Sequence, residues 1–291
     1  MQYYSVPGKN SQVTAEAATL LVAMIIAVDT GGTKTLVALM DADGHVVKQR
    51  KFPTPPQIPD YLTDLTKAID KMSAGESIKA LSIALPGTII NGTMVWGGNL
   101  GWRGFDAAAI LSKRYKWPIF VENDANVAGL AETKLLKTIP NVCLYVTIGT
   151  GVGTGIITDG RIDPAFAATE GGQIVLEHDG ILRRWETFAS GKAIHQTYGK
   201  MASEISDKQT WYRIAKNTAV GLMALVPALR PEVIIIGGGV GAHFDKFDSD
   251  LIGIMREHLP AKYMPLIRQA ANPEEAVLYG CYYSAIDRLA A

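Results

Sequence analysis

Cysteine is nearly absent from this chain. Two residues among 291, Cys143 and Cys281, supply neither a disulfide framework nor a metal-binding motif. One falls in an apolar run and the other in a predicted helix, so both are expected as buried free thiols in a reducing compartment. An excess of charge is missing too. Twenty-eight lysines and arginines balance 28 aspartates and glutamates, which excludes a nucleic-acid or membrane surface built on net charge. No run is long enough to span a bilayer. The stretch Leu20 to Val28 is short, lacks the basic flank of a signal peptide and continues into the first predicted strand. The expectation is a soluble cytoplasmic protein. Residues 1–23 read as an appendage, and Met24 would be a natural first residue of the folded domain.

Hydrophobic residues and glycine are plentiful. At 48 % hydrophobic, the chain can bury a full core and is long enough for two domains. Three of its glycine clusters each follow an apolar run. The first lies in Ile25-Ile26-Ala27-Val28-Asp29-Thr30-Gly31-Gly32-Thr33-Lys34 and leads into a second run, Leu36 to Met40, closed by Asp43-Gly44. This predicts a β-hairpin over a tight turn. Glycines there can take φ > 0 and bring bare backbone N–H groups to a phosphate. Thr33 and Lys34 add a hydroxyl and a cation, and Asp29 is placed to hold Mg²⁺ directly or through water. Taken alone, the stretch is equally an ordinary hairpin.

Further on, Phe52 to Pro59 is a proline-rich connection. Asp60 is expected to cap a helix through Met72, Ile78 to Leu85 is a strand, and Asn91-Gly92 marks a hairpin between Thr88–Ile90 and Thr93–Trp96. Asp106 opens a predicted helix to about Lys116. Pro118 to Val121 is a short strand that delivers Glu122-Asn123-Asp124-Ala125-Asn126 to another helix. From Asn141 the first pattern returns: strand Val142 to Ile148, the turn Gly149-Thr150-Gly151-Val152-Gly153, strand Thr154 to Thr158, and Asp159-Gly160. This repeat of strand, Gly-Thr turn and strand implies two related halves. Helices are predicted over Thr187–Lys200 and Lys208–Leu229. The strand Val233 to Ile236 meets the third cluster, Gly237 to Gly241, and a final helix runs from Pro273 to Leu289.

Three glycine turns after three strands point to a nucleotide, the first two cradling phosphates and the third lying against a base and ribose near a helix N-terminus. Phosphoryl transfer to an alcohol also needs a base beside the hydroxyl. Asp124, at a strand end that opens a helix, suits that role and suits a helix N-cap equally well. Glu170 and Glu186 are polar groups able to grip sugar hydroxyls or to stand solvated.

The segments Asp29–Lys34, Asn99-Leu100-Gly101-Trp102, Glu122–Asn126, Thr147-Ile148-Gly149-Thr150-Gly151, Trp185–Gly191 and Gly237-Gly238-Gly239 follow one another in an order and spacing that resembles the ROK family of bacterial sugar kinases and repressors, from about residue 24 to the end. The resemblance implies an α/β, actin/hexokinase/Hsp70-like (ribonuclease H-like) two-domain fold with an active-site cleft between the domains. The expected division is residues 24–122 with 275–291, against 123–274. It implies ATP and Mg²⁺, and a hexose held by Asn99, Asn123, Asp124, Glu170 and Glu186, with Asp124 deprotonating the 6-hydroxyl. Gly31, Gly32, Thr33 and Lys34, with Thr147, Gly149, Thr150 and Gly151, would hold phosphates, and Gly238 and Gly239 the adenosine. Domain closure on sugar would exclude water.

The chain departs from the family at one loop. Where most members place a histidine followed by a cysteine-rich zinc loop, it has Gln173, then Glu177-His178-Asp179-Gly180-Ile181-Leu182-Arg183-Arg184 without cysteine. A lone His178 cannot complete a tetrahedral site, so no zinc is expected. Gln173 can still hydrogen-bond a sugar hydroxyl. Residues 1–23 are too few for the repressors' helix-turn-helix, so no nucleic-acid partner is expected. The reading is an ATP-dependent hexose kinase acting on glucose in the first instance, with fructose and N-acetylhexosamines open and a homodimer as the expected assembly. A sugar sensor without catalysis is the rival of another class.

Overall fold

A computed structural model describes residues 24–272 and 275–291, leaving the 1–23 appendage and Pro273 outside the described residues. The described chain begins with β1 (Met24–Thr30), β2 (Lys34–Met40), β3 (Val46–Pro53), α1 (Ile58–Ser73), β4 (Ile78–Leu85), β5 (Thr88–Ile90) and β6 (Thr93–Trp96). After a 3-10 turn at Gly98–Leu100 come β7 (Arg103–Phe105), α2 (Ala107–Leu111), β8 (Ile119–Asn123) and α3 (Asp124–Lys134). Next are β9 (Val142–Ile148), β10 (Val152–Thr158), β11 (Arg161–Ile162), β12 (Val175–His178), β13 (Ile181–Arg184), α4 (Glu186–Ala189), α5 (Gly191–Tyr198) and α6 (Lys208–Leu229). The chain closes with β14 (Val233–Gly237), α7 (Gly238–Gly241), α8 (Asp248–His258), β15 (Leu266–Gln269) and α9 (Ala276–Leu289). Among the described residues no helix is long and apolar enough to cross a membrane.

The chain forms two compact units, divided between Ala131 and Glu132, with Glu275–Ala291 returning to the first. The first therefore reaches nine residues beyond the expected boundary at Glu122. The reason is that the opening turns of α3 pack against α9, where a Cβ on Gly280 would overlap the Val127 carbonyl.

In the first unit the strand order is β3-β2-β1-β4-β8. β2 pairs antiparallel with β1 and β3, whereas β1, β4 and β8 run parallel. Ile26, Val28, Val37, Leu39, Leu81 and Ile83 alternate along their strands and meet Leu65 and Ile69 of α1 in one core. In the second unit the order is β11-β10-β9-β14-β15, with the same pairing senses. The repeat read from the sequence is thus a repeat of whole sheets. Here Leu144, Val146, Ile234 and Ile236 pack against Trp185 and Leu222. Both cysteines are buried and unpaired, as expected.

Three predicted helices differ. α1 starts at Ile58, with Gln57 at its N-cap and Asp60 inside the first turn. Asp106 does cap α2, accepting from Ala109 N, but the helix ends at Leu111. The stretch expected as one helix, Thr187–Lys200, breaks at Ser190. There the Ser190 hydroxyl caps α5, and Gly191 N donates to Gly149 O at 2.7 Å. A Cβ on Gly191 would lie 2.8 Å from that carbonyl, so the break docks the chain onto the second glycine turn.

Candidate active site

The parallel strands of the first sheet end in register. Asp29 stands opposite Ala84, Ala84 opposite Glu122, and Leu85 opposite Asn123. Asp29 and the Asn123-Asp124 pair therefore share the carboxyl edge of one sheet, the edge where open α/β sheets bind ligands.

The first glycine turn is held from below. Gly31 N donates to Lys34 O at 2.9 Å, and the Thr54 hydroxyl donates to Gly31 O at 2.8 Å. Thr54 N donates to Thr33 O at 3.0 Å, and the Thr54 and Thr35 hydroxyls lie 2.9 Å apart. Gly31 and Gly32 do not use the left-handed region anticipated for them; neither is among the glycines with positive φ. What they leave at the turn is backbone without side chains. A Cβ on Gly32 would meet nothing within 4 Å, and Gly32, Thr33 and Lys34 are exposed. Thr54 is a residue that sequence reasoning missed, because no local pattern in the proline-rich connection marks it.

Asp29 is the penultimate residue of β1, beside this turn. Burial pushes its carboxyl up to about 6, against the opposing pull of the Lys51 ammonium. Lys51 was also missed. It stands in the same row of the sheet as Asp29, since Leu36 pairs with both. Thr30, the next residue, is fully buried with its hydroxyl 2.7 Å from that of Tyr61. The Tyr61 ring lies 4.7 Å from that of Trp102, whose Nε1 donates to Pro56 O at 2.8 Å. Trp102 follows the 3-10 turn that carries Asn99, so one aromatic chain supports both the glycine turn and the Asn99 segment.

At the head of α3, Asn123 is the cap. Its Oδ1 accepts from Ala125 N at 2.8 Å and Asn126 N at 3.1 Å, and its Nδ2 donates to Gly87 O at 2.8 Å. The capping role open to Asp124 from the sequence is thereby taken by Asn123, and Asp124 sits partly exposed as the first helical residue, its Oδ1 accepting from Ala125 N at 2.8 Å. Beneath, buried Glu122 accepts from Asn123 N, Asn126 Nδ2 and Arg288 Nη2 at 2.9, 3.0 and 2.6 Å. The side-chain cap of α3 is thus Asn123, with Glu122 and Arg288 bracing it from beneath.

In the second unit, Gly149 N donates to Gly151 O at 3.0 Å, and Thr150 is exposed at the turn. Gly237 pairs with Thr147 at the ends of β14 and β9. Gly238 has φ +78° and comes so close to Thr147 that a Cβ would lie 2.7 Å from its hydroxyl, whereas one on Gly239 would meet nothing within 4 Å. The third cluster thus sits beside the second. The helix it opens, α7, is a single turn, so close backbone packing counts for more here than a helix terminus.

Glu170 precedes a 3-10 turn, Gly171–Gln173, whose Gly171 N donates to the Thr154 hydroxyl at 2.9 Å. Glu186 opens α4, and its carboxylate lies against Gly151. The cysteine-free segment between them is a regular hairpin. β12 and β13 pair from Val175↔Arg184 to His178↔Ile181 across Asp179 and Gly180, with φ of 53° and 75°. An Asp-Gly pair between two strands is a hairpin signal, so this element was legible. His178 Nε2 bonds Asn217 Oδ1 at 3.0 Å and its ring stacks on Phe188 at 4.0 Å. Gln173 is tied to the hairpin, its Oε1 accepting from Arg184 Nη1 at 3.1 Å.

Two sheets of one topology, each with a bare glycine turn after its first strand, define an actin/hexokinase-like α/β fold. The comparisons agree. The model of the ROK family matches residues 25–263. A putative fructokinase of Bacillus subtilis (strain 168) is 31 % identical over 237 residues, 75 % of this chain and 77 % of that protein. A glucokinase of Streptomyces coelicolor is 27 % identical over 268 residues, 76 % of this chain and 84 % of that protein. Among solved structures, a ROK family glucokinase from Streptomyces griseus in complex with glucose and AMPPNP superposes with a TM-score of 0.76 at 24 % identity, covering 91 % of this chain and 99 % of that one. The chain belongs to the ROK family.

Proposed function

We propose that this protein is an ATP-dependent kinase that phosphorylates the 6-hydroxyl of a hexose, with glucose as the first substrate to test. One observation carries the reading: Asp124 lies at the carboxyl edge of the first sheet while Asn123 does the capping. A carboxylate at the start of a helix whose cap is another residue is suited to take a proton. The relatives' names, putative fructokinase and glucokinase, support a sugar kinase and divide over the sugar.

In the proposed reaction Asp124 accepts the hydroxyl proton as the sugar oxygen bonds to the γ-phosphorus of ATP and the bridge to the β-phosphate breaks, releasing ADP. Gly31 to Lys34 and Gly149 to Gly151 receive phosphate oxygens, and Gly238 and Gly239 the adenosine. Asn99, Asn123, Glu170, Gln173 and Glu186 orient the sugar. A divalent cation would find a fitting ligand in Asp29, whose burial leaves its negative charge poorly neutralised; bound there, it would screen the phosphates. The donor set of the hairpin does not fit a structural zinc, because His178 Nε2 is engaged by Asn217 and neither cysteine lies there.

The test is ADP release from MgATP with a panel of hexoses and N-acetylhexosamines. Sugar-dependent release with one or two of them is expected. Sugar-dependent stabilisation without release would replace the kinase by a sensor.

A further inference from the structure

Asn217, in the middle of α6, joins three elements. Its Oδ1 accepts from His178 at the tip of β12, its Nδ2 donates to Phe188 O of α4 at 3.0 Å, and its own carbonyl accepts from Trp185 Nε1 at 3.1 Å. Because the donation to a carbonyl fixes which end of the amide is nitrogen, Oδ1 faces His178, and His178 Nε2 must carry the hydrogen. The His178 ring is mostly buried and packs flat on Phe188, 4.0 Å between centroids with planes 19° apart. At the base of the hairpin, Trp185 N donates to Ile174 O at 2.9 Å. Two residues stand one position beyond this base on either side: Gln173 before Ile174, gripped by Arg184, and Glu186 after Trp185.

We propose that His178 and Asn217 are positioning residues: together they clasp the β12–β13 hairpin to α4 and α6, and so fix the two hydroxyl-contacting side chains, Gln173 and Glu186, that the hairpin connects. The clasp sets affinity for the sugar and leaves the nucleotide and the proton transfer untouched. It does so with a hydrogen bond and a ring stack, because a two-stranded hairpin alone is marginally stable in water and this one turns Val175, Ile181 and Leu182 outward. The inference rests on the kinase reading for its sugar contacts.

The test uses the full chain with His178→Phe, which keeps a ring on Phe188 but removes the Nε2 donor, and His178→Gln, which restores an N–H within reach of Asn217. Kinetics with the hexose that wild type turns over should show KM for sugar raised about fivefold in His178→Phe, the equivalent of one lost hydrogen bond. KM for ATP and kcat should stay within about twofold, and His178→Gln should recover most of the sugar affinity. Hydrogen exchange over residues 174–185, read on the same proteins, should be faster in His178→Phe. Unchanged sugar KM, or unchanged exchange, would overturn the clasp. Equal losses in sugar KM, ATP KM and kcat would reduce it to a folding contact and overturn it as well. No turnover by wild type would instead refute the kinase reading, and the exchange experiment would still decide the clasp.

Discussion

A Cβ placed on Gly151 would lie 2.9 Å from Glu186 Oε2, so the carboxylate that opens α4 rests on the backbone of the second glycine turn. A proposed sugar contact and a proposed phosphate contact are thus packed against each other inside one unit. The expected consequence is that Gly151→Ala pushes Glu186 aside. Gly151 lies outside the positive-φ region, so alanine is tolerated by the backbone and the fold survives. KM for sugar should rise by about tenfold, the scale of one displaced charged hydrogen bond. Steady-state kinetics decide; a rise in KM for ATP alone would mean that Glu186 does not touch sugar.

Asp124→Asn should lower turnover by a factor of about 10²–10⁴, the usual contribution of a positioned base. Binding of ATP, followed by calorimetry, should persist, and so should the melting temperature, because Asn123 remains as cap. Turnover within tenfold of wild type would remove Asp124 from the role of base.

Asp29 predicts a pH dependence of stability. Its folded value of about 6 lies above the ordinary 3.8, so folding takes up a proton. The stability it contributes is complete below about pH 4 and is lost as pH rises through 6, by on the order of 2–3 kcal/mol. Asp29→Asn should flatten that slope and raise the urea midpoint at pH 7–8 in the absence of divalent cations. Denaturant titrations at several pH values check it; parallel slopes for both proteins would contradict the buried acid.

Arg288 braces the strand end that leads into the proposed base, Asp124. Its Nη2 lies 2.6 Å from Glu122 Oε2, and the Glu122 side chain is 6 % exposed. Arg288→Ala leaves that carboxylate buried without its cation and should destabilise the fold by about 2–3 kcal/mol. Arg288→Lys should recover part of the loss. Equilibrium unfolding measures both, and an Arg288→Ala protein as stable as wild type would show that Glu122 relaxes into water.

Much of this was legible in the chain. Apolar runs closed by Asp-Gly or Asn-Gly gave the hairpins of β1–β2, β5–β6 and β9–β10, because strand period and turn chemistry are local properties. The same signal at Asp179-Gly180 was present and went unread. The break at Ser190 was not legible, since it exists to bring Gly191 onto Gly149, a residue 42 positions away.

Sequence by itself determined the class of the protein: two glycine turns after like strands, a third beside β14, and Asp124 placed at the junction of strand and helix. These follow from residue type and spacing, which short-range sterics and hydrogen bonding read directly. Tertiary structure alone decided that Asn123 rather than Asp124 caps α3, that Thr54 holds the first turn, and that Asn217 joins His178, Phe188 and Trp185. Each depends on which side chain arrives from a distant strand or helix to satisfy a buried polar group, and no local pattern records that.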